Sequence, residues 1–235
     1  MSSTAVPRAT TVRIQRGARR HARIVVSPGG EVEIRIPQSF TDDQLGRLLL
    51  RRSEWIARQH AHFDRYRPRE PRRKYVSGEG VRYLGRQYRL KVVLSAEMSV
   101  RACGRRLQVS LADPADSNAV RRLVIRWLVE RAKEKLMARV EQCWEIARRH
   151  RTKEPMIRLR VMKRRWGSCS TSGMILLNPQ LVQTSVECID YVILHELCHL
   201  RYPYHSSQFY RLLDVMLPDW RNRKNQLDKI ALPQW

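Results

Sequence analysis

The pentapeptide at residues 195–199 reads HELCH, and it constrains the fold more than any other feature of the sequence. Histidines four residues apart lie on one face of the chain when the segment is an α-helix, so the spacing predicts a helix through the motif. His195 and His199 can then bind one metal ion, while Glu196 can reach a water molecule beside that ion. The pattern indicates a zinc centre with two histidine ligands and a glutamate base.

The residues around the pentapeptide favour a buried helix. Residues 184–187 read TSVE, a capping box that predicts the start of a helix just before the motif. Apolar side chains recur along the helix and provide a surface for burial, namely Ile189, Val192, Ile193, Leu197 and Leu200. Burying two histidines and a glutamate is costly unless they have a binding partner. The alternative is that the two histidines lie on the exposed face of an amphipathic helix.

A catalytic zinc site needs a third protein ligand and keeps one coordination position open. No glutamate follows Glu196 in the chain, and His205 is the predicted third ligand. Pro203 should end the helix and turn the chain, because the residue before a proline avoids helical geometry. That turn can bring His205 back to the metal; the alternative is that His205 packs near the turn. Asp214 and Asp219 remain substitutes, although Asp219 is better placed to cap the last helix.

A strand predicted at residues 173–177 precedes the motif helix, and an extended peptide can pair with a strand in such a position. Gly173, Ile175 and Leu177 are therefore predicted to contact a peptide substrate, with a wholly internal strand as the alternative. Residues 166–169 read WGSC and predict a turn beside the site. No activating partner for Cys169 is identifiable, so its expected role is packing or turn formation and not nucleophilic attack.

Hydrophobic periodicity predicts an α+β fold. Strands are predicted at residues 22–26, 31–36, 82–84, 88–94, within 100–111, and at 156–162. Long helices are predicted at residues 41–64 and at about 116–149. Residues 65–74 are rich in proline and arginine and predict a basic linker. The expected organisation is a β-rich N-terminal region at residues 1–115, with hairpins and one helix, followed by a helical region at residues 116–235.

The chain is strongly basic, with 46 lysines and arginines, 22 aspartates and glutamates, and a net charge of +24. Such a surface attracts polyanions, and nucleic acid is the commonest of these in a cell. Nucleic acid is therefore a predicted partner through the basic surface. The alternative is an ordinary solvated surface that happens to be rich in arginine.

The five cysteines include no CxxC pair, which argues against a disulfide framework and against a cysteine-ligated zinc. A reducing compartment fits this pattern, so the expected location is cytoplasmic. The sequence has no apolar run of about 18 residues, and no membrane association is predicted.

Several segments resemble the YgjP-like metallopeptidases, which are relatives of the SprT-like zinc peptidases. The similar segments are RRWGSC at 164–169, ILLN at 175–178, IDYV at 189–192, HELCHL at 195–200, HSSQF at 205–209 and PDW at 218–220. The resemblance implies a zincin-like catalytic region with His195, His199 and His205 as zinc ligands and Glu196 as base. It implies no particular substrate.

Two functional hypotheses from different classes follow. The first is a zinc-dependent metallopeptidase that hydrolyses peptide bonds in protein or peptide substrates, among them proteins associated with nucleic acid. The second is a basic nucleic-acid-binding protein whose zinc is structural or absent. A closed site with four protein ligands would favour the second hypothesis, whereas three protein ligands and an open position favour catalysis.

Overall fold

A computed structural model of the chain describes residues 12–26, 31–64, 73–230 and 232. The chain divides into two compact units, Met1–Glu70 and Pro71–Trp235. The boundary between them falls inside the predicted basic linker at residues 65–74, most of which lies outside the described residues. The sequence predicts a boundary between residues 115 and 116, which is further along the chain.

The first unit contains a three-stranded sheet and one helix. Its strands lie in the order β1-β3-β2, with bounds β1 (Val12–Gly17), β2 (Arg23–Val26) and β3 (Val32–Pro37). β3 pairs antiparallel with β2, as predicted, and also pairs parallel with β1, which was not predicted. The predicted turn at residues 27–30 lies outside the described residues.

Helix α1 (Asp42–Asp64) begins where the sequence predicts it. The Thr41 amide donates to Gln44 Oε1 at 3.0 Å, and the Gln44 amide donates to Thr41 Oγ1 at 3.3 Å. This reciprocal pair satisfies amides that the start of a helix leaves without helical partners. The helix and the sheet share a small buried core, which consists of Val26, Val32, Ile34, Ile36 and Leu45.

The second unit begins with a four-stranded sheet in the order β4-β5-β7-β6. Its strands are β4 (Gly80–Tyr83), β5 (Arg86–Leu94), β6 (Ser99–Cys103) and β7 (Arg106–Leu111). Both predicted hairpins are confirmed, because β4 pairs antiparallel with β5 and β6 with β7, while β5 and β7 are parallel. Leu84 and Gly85 connect the first hairpin with positive φ angles of 47° and 75°, as a tight two-residue hairpin turn requires.

Helix α2 (Ser117–Ala147) packs against this sheet and against the later helices. The sequence predicts Asp116 or Ser117 as the cap of this helix, and Asp116 caps it by accepting a hydrogen bond from the Ala119 amide at 2.9 Å. Side chains of the sheet, of α2 and of the C-terminal helices form one continuous core. Because the strands between residues 80 and 111 contribute to that core, they belong to the second unit and not to the first.

A second sheet contains β8 (Met156–Leu159), β9 (Gly167–Cys169) and β10 (Met174–Leu177) in the order β8-β10-β9. β10 is central, parallel to β8 and antiparallel to β9. The strand predicted at residues 156–162 is confirmed in its first four residues. The turn predicted at residues 166–169 is wrong, because pairing with β10 holds most of that segment in an extended conformation.

Three helices complete the chain, namely α3 (Val186–His199), α4 (Ser207–Met216) and α5 (Trp220–Asp228). The HELCH motif lies on α3, as its spacing predicts. The N-cap of α3 is Ser185, which accepts from the Cys188 amide, one residue later than the predicted cap. With strands mainly in the N-terminal half and helices in the C-terminal half, the predicted α+β class is confirmed. None of the described helices is both long enough and apolar enough to span a membrane.

Candidate metal centre

Three histidines converge at the C-terminal end of α3. His195 and His199 lie on the helix, and His205 lies in the loop that precedes α4. One ring nitrogen from each of the three lies within 4.8 Å of the other two. The Nε2 atoms of His195 and His205 are 3.1 Å apart. The structure thus brings together the three histidines that the sequence singles out.

A tight turn after α3 carries His205 back toward the helix. The Tyr202 amide donates to the Cys198 carbonyl at 2.9 Å and closes the last turn. Pro203 follows immediately, and the helix has ended before it, as predicted. Ser206 then caps α4 through its hydroxyl, which fixes the backbone directly after His205. Two adjacent local features therefore place the third imidazole.

Phe209, in the first turn of α4, packs against all three imidazoles. The residue is fully buried. Its ring centroid lies 5.0 Å from that of His195 and 4.7 Å from those of His199 and His205. A buried aromatic ring at these distances occupies the space into which each imidazole would otherwise rotate. Phe209 therefore holds the three rings in their cluster.

The environment favours the uncharged form of the two histidines on α3. Burial, together with the neighbouring His199 and His205, lowers the pKa of His195 to about 3. Burial also lowers the pKa of His199. The His199 Nδ1 atom lies 3.2 Å from the Tyr202 carbonyl oxygen and donates to it, which leaves Nε2 with a free lone pair. Uncharged imidazole is the form that binds a metal ion.

The spacing of the His195 and His205 nitrogens fits a tetrahedral zinc ion. Zinc–nitrogen bonds of about 2.0–2.1 Å at the tetrahedral angle place two ligand nitrogens about 3.3 Å apart. The 3.1 Å between the Nε2 atoms of His195 and His205 is close to that separation. His195 Nδ1 is buried without a hydrogen-bond partner among the described residues, whereas His195 Nε2 faces the other histidines of the cluster.

The Glu196 side chain packs against Gly167 of β9. The residue is 6% exposed. Burial raises its pKa to about 7, although the positive charge of Arg165 and a hydrogen bond from the Cys169 backbone amide act in the opposite direction. The carboxylate is not part of the histidine cluster. A buried carboxyl group with a pKa near neutrality is suited to proton transfer.

Gly167 leaves the space that the Glu196 side chain occupies. A Cβ atom added at Gly167 would lie 2.6 Å from Glu196 Oε1 and 2.8 Å from its Cγ, which is closer than real Cβ contacts come. A side chain at this position of β9 must therefore displace the carboxylate. The absence of a side chain at Gly167 is what allows β9 to approach the motif helix.

Strand β10, which was predicted to contact a peptide, is internal to its sheet. β8 pairs with one of its edges and β9 with the other, so a peptide cannot add to it. Ile175 and Leu177 are 1% and 0% exposed and belong to the core. Gly173 lies in the turn before the strand, where its amide donates to the Ser170 carbonyl. The expectation that Gly173, Ile175 and Leu177 bind substrate by strand pairing is corrected, and the internal-strand alternative describes β10.

The two aspartates considered as alternative third ligands lie outside the cluster. Asp214 accepts hydrogen bonds from Trp220 Nε1 at 2.8 Å and from Arg221 at 2.6 Å. Asp219 precedes α5, but its carboxylate pairs with Arg223 at 2.9 Å and forms no hydrogen bond to the helix amides. Both carboxylates are engaged by other side chains.

Three contributors to the site were not predicted from the sequence: Phe209, Gly167 and the Tyr202 carbonyl. Phe209 had a signal, because it follows the cap of α4 at a position that should face the preceding helix. Gly167 had a weaker one, as a glycine between the bulky Trp166 and a polar run. A backbone carbonyl has no sequence signal, since every residue carries one.

Three histidines that converge beside a buried glutamate are the arrangement of a metal-dependent hydrolase. Comparison with known proteins gives the class more closely. The chain belongs to the YgjP-like metallopeptidase family, whose metallopeptidase domain model matches residues 20–230. The predicted family membership is thereby confirmed, and with it the metallopeptidase class.

One solved structure to which the chain is similar is the crystal structure of the metallopeptidase zymogen of Pyrococcus abyssi abylysin. The two are 25% identical in sequence with a TM-score of 0.36, over 39% of this chain and 90% of that chain. No curated protein matches the sequence.

Proposed function

We propose that this metallopeptidase is a zinc enzyme in which His195, His199 and His205 bind the metal and Glu196 is the general base. The observation that carries the proposal is the convergence of three imidazole nitrogens within 4.8 Å of one another, beside a buried carboxyl group. Zinc held by three protein ligands keeps one position open and acts there as a Lewis acid toward water and the scissile carbonyl. The histidine set and its spacing suit that ion.

Glu196 moves the proton in the proposed reaction. Its carboxylate accepts a proton from the attacking water as the new carbon–oxygen bond forms at the scissile carbonyl. The same group then donates that proton to the leaving amine as the carbon–nitrogen bond breaks. Burial raises the pKa of Glu196, which favours a group that accepts a proton in one step and donates it in the next. The hydrogen bond from the Cys169 amide orients the carboxylate.

Replacing Gly167 by alanine should lower peptide cleavage about 100-fold, because misplacing a catalytic group by about 1 Å costs roughly that much. The loss should appear in kcat for a short peptide, while zinc content stays at the wild-type level. Gly46→Ala is the matched control, since a Cβ at Gly46 meets nothing within 4 Å. Wild-type activity in Gly167→Ala would mean that this close approach does not position Glu196.

We propose that an extended peptide substrate pairs with the edge strand β9 and not with the internal strand β10. β9 pairs with β10 on one side, and no other described strand pairs with β9. Its residues Gly167 and Cys169 lie beside Glu196. A peptide added to this edge would therefore pass next to the proposed base. Strand addition uses backbone hydrogen bonds, which every protein or peptide substrate can supply.

A nucleic-acid-binding protein with a structural zinc is the second candidate function, favoured by the net charge of +24. A structural zinc site has four protein ligands. Within the part of the chain that the structure describes, the cluster consists of three histidines and includes no cysteine or carboxylate. That composition supports catalysis. The two functions are compatible in a peptidase that acts on proteins associated with nucleic acid.

Removal and return of the metal test the proposed function. The purified protein should contain about one zinc per chain. Dialysis against a strong chelator should abolish cleavage of an unbiased peptide library, and added zinc should restore it. Cleavage that continues at the same rate in metal-free protein would exclude the proposed role of zinc. Full zinc loading without any cleavage would favour the second candidate function.

A further inference from the structure

The outward face of the four-stranded sheet β4–β7 carries cationic and neutral side chains. Alternate residues of these strands point into the core, as the buried Val81, Leu90 and Leu107 show. The outward positions between them hold the cations Arg82, Arg89, Lys91, Arg101 and Arg106. No aspartate or glutamate occupies an outward position of these strands, all four of which lie within the described residues. We call this surface the basic sheet face.

The strand register places the cations of the basic sheet face side by side. Arg89 on β5 lies beside Arg106 on β7, and Gln108 on β7 is flanked by Lys91 and Arg101. These four residues of β5, β6 and β7, namely Arg89, Lys91, Arg101 and Arg106, are exposed, and none of the four forms an ion pair with a described residue. Like charges on adjacent strands repel and destabilise a sheet. The arrangement is therefore unfavourable for the isolated fold, and a bound polyanion would relieve it.

Other described surfaces carry cations beside acids. Several arginines of α2 pair with acids on the same helix, for example Arg126 with Glu130 at 3.1 Å. Near the sheet, Glu97 and Asp113 lie in the segments that follow β5 and β7, at the end of the sheet opposite the Gly85 and Gly104 turns. The basic sheet face thus gathers cations from neighbouring strands on one surface without an acid among them.

We infer that the basic sheet face binds the phosphate backbone of double-stranded nucleic acid, with little dependence on base sequence. Neutralising phosphates with lysine and arginine releases condensed counterions, which favours binding. No outward position of β4–β7 holds an aromatic residue, so the face lacks the stacking platform that single-strand binders use. An anionic membrane fits less well, because Val93 is the only large apolar residue at these positions and it is half-buried.

The basic sheet face lies away from the metal centre. Leu84, in the β4–β5 turn, donates its amide to the Val182 carbonyl at 2.7 Å, which places that end of the sheet near the start of α3. The histidines lie near the other end of α3, and His195 is about 15 Å along the axis from Ser185. Nucleic-acid binding at this face does not depend on the proposed zinc chemistry, and each can be tested without the other.

Two triple variants that remove the same charge test the inference. The face variant carries Arg89→Gln, Arg101→Gln and Arg106→Gln. The control variant carries Arg121→Gln, Lys133→Gln and Arg149→Gln, which are exposed positions outside the sheet. Binding of each protein to a labelled mixed-sequence duplex of about 20 base pairs is measured by fluorescence anisotropy, between about 50 and 200 mM salt. Thermal melting checks that both variants fold.

The face variant should bind the duplex at least about tenfold more weakly than the wild type at low salt. The slope of log affinity against log salt should fall by about 0.9 for each lost phosphate contact, or about 2.7 for three. The control variant should stay close to the wild type. A third variant with lysine at positions 89, 101 and 106 should also bind normally, because lysine keeps the charge that attracts phosphate.

Equal weakening in the face and control variants would overturn the inference, since net charge would then explain the binding. Failure of the wild-type protein to bind duplex DNA and duplex RNA at low salt would overturn it as well. Vesicles of phosphatidylcholine and phosphatidylserine provide the membrane arm. Vesicle binding that the face variant loses, while it retains duplex binding, would assign the basic sheet face to a membrane.

Discussion

Glu196→Gln should abolish peptide cleavage while the protein stays folded and keeps its zinc. Glutamine has nearly the same shape as glutamate and can accept the hydrogen bond from the Cys169 amide, so the packing against β9 is preserved. An amide cannot take a proton from water, and general base catalysis contributes about 10²- to 10⁴-fold to a rate. We expect kcat/KM for a short peptide to fall by that factor, with zinc content and the melting temperature close to wild type.

Glu187→Gln is the matched control for this substitution. Glu187 is exposed in the first turn of the same helix and far along it from the histidines, so its replacement should leave cleavage unchanged. Glutamine can also replace glutamate in a helix cap, which protects α3 itself. If Glu196→Gln cleaves at the wild-type rate, Glu196 has no part in the proton transfer. If it loses zinc, the carboxylate contributes to the metal site and not only to proton transfer.

Features that depend on residues within one helical turn were predicted from the sequence. The capping pair of Thr41 and Gln44 and the cap at Asp116 both form as expected. The motif helix follows from the i, i+4 spacing of its histidines, because that spacing places both on one face. The return of His205 to the helix required one further local rule, the incompatibility of helical geometry with the residue before Pro203.

Features that depend on pairing between distant segments were not predicted. β1 has no buried residue, and nothing in its local sequence shows that it pairs in parallel with β3. β9 has three residues, and its extended conformation arises from pairing with β10. The substrate role expected for residues 173–177 failed for the same reason, since local sequence does not say which strand of a sheet is central.

The start of α3 shows how competition between neighbours limits even local prediction. Thr184 and Ser185 are both good capping residues, and the pattern TSVE favours the first. In the structure the Thr184 hydroxyl donates to the Leu181 carbonyl at 2.8 Å, at the end of the short 3-10 helix Pro179–Gln183. Ser185 is then left to cap α3. The preceding short helix, which begins at Asn178 and Pro179, decides between the two.

His205→Ala should lower zinc affinity by more than about 100-fold. Loss of an outer hydrogen-bond partner of a metal ligand already costs about 10- to 100-fold, and removal of a direct ligand should cost at least as much. The two remaining histidines on α3 cannot complete a three-ligand catalytic site. Phe209 remains beside them and keeps their rings in place. We therefore expect the fold to survive while zinc is lost to a weak chelator during dialysis.

Asp214→Ala and Asp219→Ala are the controls, because these carboxylates are the alternative third ligands. Asp214 is held by Trp220 Nε1 and Asp219 by Arg223, and neither joins the histidine cluster. Both variants should keep about one zinc per chain, although Asp214→Ala should melt somewhat lower because Trp220 loses its hydrogen bond. Zinc per chain after dialysis decides between the assignments. Full retention in His205→Ala together with loss in Asp214→Ala would place this protein among enzymes that use two histidines and a carboxylate.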